Sequence, residues 1–279
     1  EESPALCNAI VAVDGGMGTG SVISDKGLVI TNHHVAYGDI HSLSTPAKNY
    51  LEEGFWALEQ KDELPLKGKT VTFLRQVRDV TDEAQAIRDS LEKANSLGIF
   101  GTRKVYGILE RKYGRDTPYK AVRLVGAPPV KIGAFGGEQD NWGWPQHKGD
   151  FALYRVYGDA KGRPAAYSEN NVPITPRKVL NVSTSGIHDG DYAMVIGFPG
   201  RTNRYMSSQA VREKEHVTNP VVIKARRDRL DIMLRHMEAD PDVRLMYSDK
   251  YFNISNYADY AKWENICLRR YDVIGIRAA

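Results

Sequence analysis

The sequence predicts a mixed fold: an antiparallel β-barrel with helical insertions over residues 1–205, then the beginning of an α-helical cap domain over residues 206–279. Three observations lead there. Short apolar, β-branched runs recur between Gly, Pro, Asp and Asn clusters, the punctuation of an all-β barrel. Between about residues 46 and 115 that pattern gives way to stretches with apolar residues at helical spacing. Beyond Tyr205 the composition shifts, and apolar residues fall along one helical face.

Taken in order, Ala9–Val13 is a short apolar strand, followed by the glycine-dense turn Asp14–Gly20. Ser21–Ser24 and Leu28–Thr31, joined by Asp25-Lys26-Gly27, make a hairpin. Residues 46–64 are mixed, with aromatics between acidic residues. Thr70–Val77 alternates apolar and polar side chains, as a half-buried strand does. Thr81, before Asp82 and Glu83, opens a helix whose apolar positions are Ala84, Ile87, Leu91, Ala94 and Leu97, and Gly98 closes it. A second helical or mixed stretch runs to about Tyr113, before Gly114. Strands are expected again at Ala121–Val125, Ile132–Phe135, Phe151–Tyr157 and Tyr192–Gly197. Pro220 starts a helix with Val222, Ile223, Leu230, Met233 and Met237 roughly along one face, and Asp240-Pro241 breaks it. A Tyr-rich helical stretch follows from about Ser248, and the chain's last residues read as lying inside a helical region.

Bulk composition excludes several classes. With 42% hydrophobic residues the chain can bury a core, and a net charge of +3 over 279 residues gives no reason to expect nucleic acid or an anionic membrane as partner. No run of about 18 apolar residues exists to span a bilayer. Glu1-Glu2-Ser3-Pro4 carries no signal segment, which fits either a cytosolic protein or a signal already removed. Cys7 and Cys267 are read as two lone buried thiols, although a disulfide between them is the competing reading, so cysteine usage does not settle the compartment. His188, Asp189 and Asp191 lack metal-ligand spacing, no Cys or His cluster supports zinc, and no Gly-rich loop leads into a helix to hold a phosphate; neither metal nor cofactor is expected.

The chemistry concentrates at two places. Leu28-Val29-Ile30 runs into Thr31-Asn32-His33-His34, and a strand ending in Thr-x-x-His at a barrel rim is how chymotrypsin-like peptidases present their base. His34 takes that position and His33 a supporting one; the competing reading is an exposed His pair in a turn. Asp150, in Gly149-Asp150-Phe151, enters an apolar strand 116 residues later, which suits a carboxylate that must be shielded and aimed at an imidazole. It follows His34 in the His…Asp…Ser order of that class. On its own it would read as a turn aspartate. A nucleophile is missing: Ser21, Ser185, Ser207 and Ser208 all lack the Gly-x-Ser-Gly turn that builds an oxyanion hole. Asn141-Trp142-Gly143-Trp144-Pro145 is unusual, its tryptophans suited either to the core or to a pocket wall.

Those residues carry a resemblance. Leu6-Cys7-Asn8-Ala9, Thr31-Asn32-His33-His34, Asp140-Asn141-Trp142, His147-x-Gly149-Asp150-Phe151, Gly200-Arg201-Thr202-Asn203-Arg204-Tyr205 and Ile254-Ser255-Asn256-Tyr257 together resemble the bacterial serine dipeptidyl peptidases of the seven and eleven type, over essentially the whole chain. The resemblance implies a chymotrypsin-like antiparallel barrel, with His34 and Asp150 as triad members. It implies that Asn141 and Trp142 hold the free amine of a peptide, and that the serine lies in a second barrel beyond a helical cap. It further implies a periplasmic or cell-surface exopeptidase, peptide substrates with a free N-terminus, and a homodimer of full-length chains. This chain would then be the N-terminal portion of such an enzyme, inactive alone. Departures exist: a cysteine pair usual in the family is replaced by Gly18 and Val35, and an arginine by Gln146. They lean toward a second reading, an inactive peptide-binding protein on the same barrel. His34, Asp150 and Asn141-Trp142 lean against it.

Overall fold

The structure, a computed structural model, describes residues 5–75, 77–114, 116–137 and 141–278. Glu1–Pro4 and Asp140 lie outside the described residues. The strands are β1 (Ile10–Val13), β2 (Gly18–Val22), β3 (Leu28–Thr31), β4 (Phe55–Trp56), β5 (Leu64–Pro65), β6 (Val71–Phe73), β7 (Ala121–Ala127), β8 (Ala152–Gly158) and β9 (Val172–Pro173). They form one antiparallel sheet in the order β4-β7-β8-β3-β2-β1-β6, with β5 also on β7 and β9 on β8. The predicted hairpin is present, with β2 starting at Gly18 rather than Ser21 because Gly18 already pairs with Val13.

The expected barrel is corrected in one respect: the sheet is not closed. Its far edge, β6, is only three residues long, and a single isolated bridge, Val71 to Tyr119, reaches back toward the segment before β7. Of the rest of the predicted strand Thr70–Val77, residues Thr70, Leu74, Arg75 and Val77 join no strand and Gln76 lies outside the described residues. Two expected strands are absent. Ile132–Phe135 falls on a short helix, α5 (Val130–Gly133), started by Pro129. Tyr192–Gly197 forms no strand; its backbone has no ladder beside it and Val195 is 99% exposed.

The core sits between the sheet and two helices. Val11, Val13, Val22, Val29, Val122, Tyr154 and Val156 from the sheet meet Ala36, Tyr37 and Ile40 of α1 (His33–Leu43). Each fully buried aliphatic side chain contributes about 1.5–3 kcal/mol of transfer free energy. A buried Lys69 ties this helix to the sheet: its ammonium lies 2.6 Å from Asp14 and 2.7 Å from Asp39 of α1, and the Tyr154 hydroxyl donates to Asp39 at 2.5 Å.

The remaining helices fall only in part where the sequence pattern places them: Tyr50–Glu53 and Ser208–Glu213 are additions to it. They are α2 (Tyr50–Glu53), α3 (Thr81–Lys93), α4 (Gly101–Tyr113, stopped by Gly114), α6 (Ser208–Glu213), α7 (Asn219–Ala239), α8 (Pro241–Arg270) and α9 (Val273–Ala278). α3 stops before Ala94 rather than at Gly98, because Asn95 takes a left-handed φ of 49°. α8 begins at Pro241, not near Ser248. The Asp240 side chain accepts the Asp242 and Val243 N–H groups at 2.8 and 3.3 Å, so the break between α7 and α8 is also a cap. Leu230 of α7 packs on Ile254 and Ala258 of α8, while Leu245 of α8 enters the sheet's own core. Cys7 is half-buried, Cys267 is exposed and both are free, so the expectation of two buried thiols is corrected. Among the described residues no helix is long and apolar enough to cross a membrane.

Candidate active site

Sheet register brings the two halves of the site together. Thr31, the last residue of β3, pairs with Ala152, the first of β8. His34 lies just beyond the first and Asp150 just before the second, so neighbouring strand ends deliver them to one spot. The chain after Thr31 enters α1 directly, so the competing reading of an exposed His pair in a turn does not hold. Asn32 occupies the cap position with extended backbone and makes no cap bond of its own.

Asp150 supplies the cap instead. One carboxylate oxygen accepts the His34 backbone N–H at 3.0 Å, and the other lies 2.7 Å from His34 Nδ1. Asn32 Nδ2 donates to that second oxygen at 3.2 Å and to the Asp150 carbonyl at 3.1 Å. Partial burial pushes the Asp150 carboxyl up, and the hydrogen bonds and charge of His34 outweigh it, holding the group below its ordinary value. Its position at a helix N-terminus works in the same direction. An ionised carboxylate on Nδ1 keeps the proton there and leaves Nε2 as a lone-pair acceptor. The His34 side chain is 54% exposed and the Asp150 side chain 24%, so the acceptor is reachable while its partner is shielded.

His33 does the reverse. It is buried, stands edge-on to Tyr37 at 6.1 Å, and has its pKa lowered, first by burial; Asp150 and the Pro128 carbonyl oppose that shift. Its ring lies against Gly133, where a Cβ would come within 2.4 Å of Cγ, which is why a glycine ends α5. The supporting place read for His33 is therefore a neutral ring in the cleft floor.

His34 and Asp150 open onto a cleft of ≈ 340 Å³ whose lining also includes Asn141, Trp142, Gln146 and Lys148. The structure thus gathers all four sequence-predicted site residues. Trp142 adopts a φ of 61°, and its indole N–H donates to Asn256 of α8, 2.8 Å from Oδ1 and 3.1 Å from the carbonyl. Asn141 Nδ2 donates to the same Oδ1 at 3.2 Å, and Tyr260 stands edge-on to the indole at 5.1 Å.

Sequence reasoning assigned no role to the α8 wall: Phe252, Ser255, Asn256 and Asp259 all line the cleft. Their spacing is one helical face, with polar residues set into it, and that signal was available in the sequence. Ser255 is no free hydroxyl, since its Oγ donates to the Phe252 carbonyl at 3.0 Å. Ser185 lies in an exposed loop. Among the described residues no serine bonds to His34. His188 and Asp191 meet only within a local turn.

An imidazole fixed by a carboxylate beside a cleft can take and return a proton, which is general acid–base chemistry, and the comparisons with known proteins place this chain in a peptidase family. It belongs to the Peptidase S46 family, which matches residues 1–100 and 102–279. It is 41% identical over 273 residues to an Asp/Glu-specific dipeptidyl-peptidase of Porphyromonas gingivalis, covering 88% of this chain and 38% of that one. It is 41% identical over 281 residues to a dipeptidyl-peptidase 7 of Capnocytophaga gingivalis, covering 94% and 38%. Among solved structures it resembles Porphyromonas endodontalis DPP11 in complex with the dipeptide Arg-Asp, with a TM-score of 0.87, 33% identity, and coverage of 98% of this chain and 43% of that one. The same protein in an alternate conformation matches at 0.72 over 89% of this chain and 41% of that one, with 31% identity. The chain thus spans well under half the length of the relatives it matches.

Proposed function

We propose that this chain is the N-terminal portion of a serine dipeptidyl peptidase, and that the serine is supplied by sequence outside these 279 residues. The observation that carries the reading is the 2.7 Å contact between His34 Nδ1 and Asp150, beside a cleft walled by Asn141 and Trp142. In the reaction, His34 Nε2 takes the serine proton as Oγ attacks the scissile carbonyl, then gives it to the leaving amine as the acyl-enzyme forms. Water repeats the cycle, releasing a dipeptide. Asp150 keeps the imidazole in the needed tautomer and stabilises its cation. The free ammonium of the peptide donates to the Asn141 carboxamide against the Trp142 face, a cation beside an indole and an amide oxygen. Family membership supports this assignment. Secretion to the periplasm or cell surface and assembly as a homodimer belong to the same reading.

The test uses the full-length protein and a chromogenic dipeptidyl substrate. Release of dipeptide is expected, lost in His34→Ala and abolished by acetylating the substrate amine. The 279-residue chain alone is expected to release none, since its base has no hydroxyl to deprotonate. Release by the short chain that His34→Ala removes would overturn the missing-serine reading.

A further inference from the structure

We propose that Lys148 is a specificity-determining residue that favours dipeptides whose first residue carries a carboxylate side chain; the inference rests on the reading of Asn141 as the amine acceptor. Besides the two histidines, the charged side chains lining the cleft among the described residues are Asp150, Asp259 and Lys148. Asp150 is engaged by His34, and Asp259 by the Arg227 guanidinium. Lys148 is the one lysine or arginine of that lining, and it is half-buried. The bond found for its ammonium is to a neutral group, the Asn141 carboxamide oxygen, at a long 3.4 Å. Gln146, on the same stretch of lining, adds no charge.

The cleft therefore holds a partly desolvated cation whose contact is weaker than a carboxylate would give it. A peptide ammonium on the same Asn141 oxygen would lie within about 6 Å of Lys148, given ordinary hydrogen-bond lengths, and the two cations repel. An aspartate or glutamate as first residue places a carboxylate next to both. It draws Lys148 off Asn141, frees that oxygen for the ammonium and cancels the repulsion. A lysine or arginine as first residue adds a third cation to the same corner.

The experiment measures kcat/KM of the full-length enzyme on dipeptidyl substrates that differ only in the first residue: Asp, Glu, Leu or Lys. Wild type is expected to favour Asp and Glu over Leu by about tenfold, as a charge-assisted hydrogen bond would, chiefly through KM. The preference should shrink with added salt. Lys148→Gln should level the series, and Lys148→Glu should invert it toward Lys. An identical first-residue profile in all three proteins, or a charge preference confined to the second residue, would overturn the inference while leaving dipeptide release intact. Equal cleavage of amine-blocked substrates would overturn the amine-binding reading, and this one with it.

Discussion

The Asp150 carboxylate has two duties at once: it caps α1 through the His34 N–H and orients the His34 ring. Because its pKa is lower in the folded chain than its ordinary 3.8, the unfolded chain takes up the proton first as pH falls. The stability it contributes is complete above that value and is lost as pH drops through the folded pKa. Melting temperature should therefore fall more steeply between about pH 5 and 3 in wild type than in Asp150→Asn; parallel curves would mean that the carboxylate makes no such bonds in solution. At Gly18 a Cβ would sit 3.3 Å from that of Val35, with Val35 methyl groups filling the space. Cysteines at both positions are close to disulfide geometry. The double variant Gly18→Cys/Val35→Cys should form the bond, leave only Cys7 and Cys267 titratable, and gain about 3 kcal/mol against its reduced form. Four free thiols after oxidation would refute the pairing.

Two helices matter most at the scale of elements. α1 carries His34 at its first turn, and α8 carries Asn256, which holds Asn141 and Trp142. They are joined by a parallel stack of Tyr37 on Phe252, ring centroids 4.3 Å apart, and by a 2.7 Å bond between His41 Nε2 and the Leu245 carbonyl. Burial pushes the Tyr37 phenol up to about 12. Phe252→Ala should cost about 3 kcal/mol in urea unfolding and bring the Tyr37 titration back toward 10 in a spectrophotometric scan. A stable variant with the phenol unmoved would show that the stack does not seal the two helices. Asp240→Ala, which removes the cap of α8, should cost about 1 kcal/mol by the same measurement.

The molecule as a whole leaves one long stretch uncovered. Residues 181–205 are almost entirely exposed, with Ile187, Tyr192, Val195 and Tyr205 each at least 87% accessible. An apolar, strand-patterned segment without a sheet beside it is an unmet pairing surface. Limited proteolysis of the 279-residue chain should cut there first, whereas the full-length protein should be protected. Equal resistance in both would mean that the segment closes on the chain itself.

The meander, the paired helices and the break at Asp240-Pro241 were legible in the sequence, because period, turn residues and caps are local properties. His34 and Asp150 stand out there by residue type and chain order, and Asn141 and Trp142 only through the family resemblance. Their meeting was not derivable from spacing, because it depends on the pairing of Thr31 with Ala152 across the sheet and on α8 reaching over to Asn256. The strand expected at Tyr192–Gly197 failed for the same reason: a strand exists only where another backbone satisfies its N–H and C=O groups, and tertiary structure alone decides whether one is there.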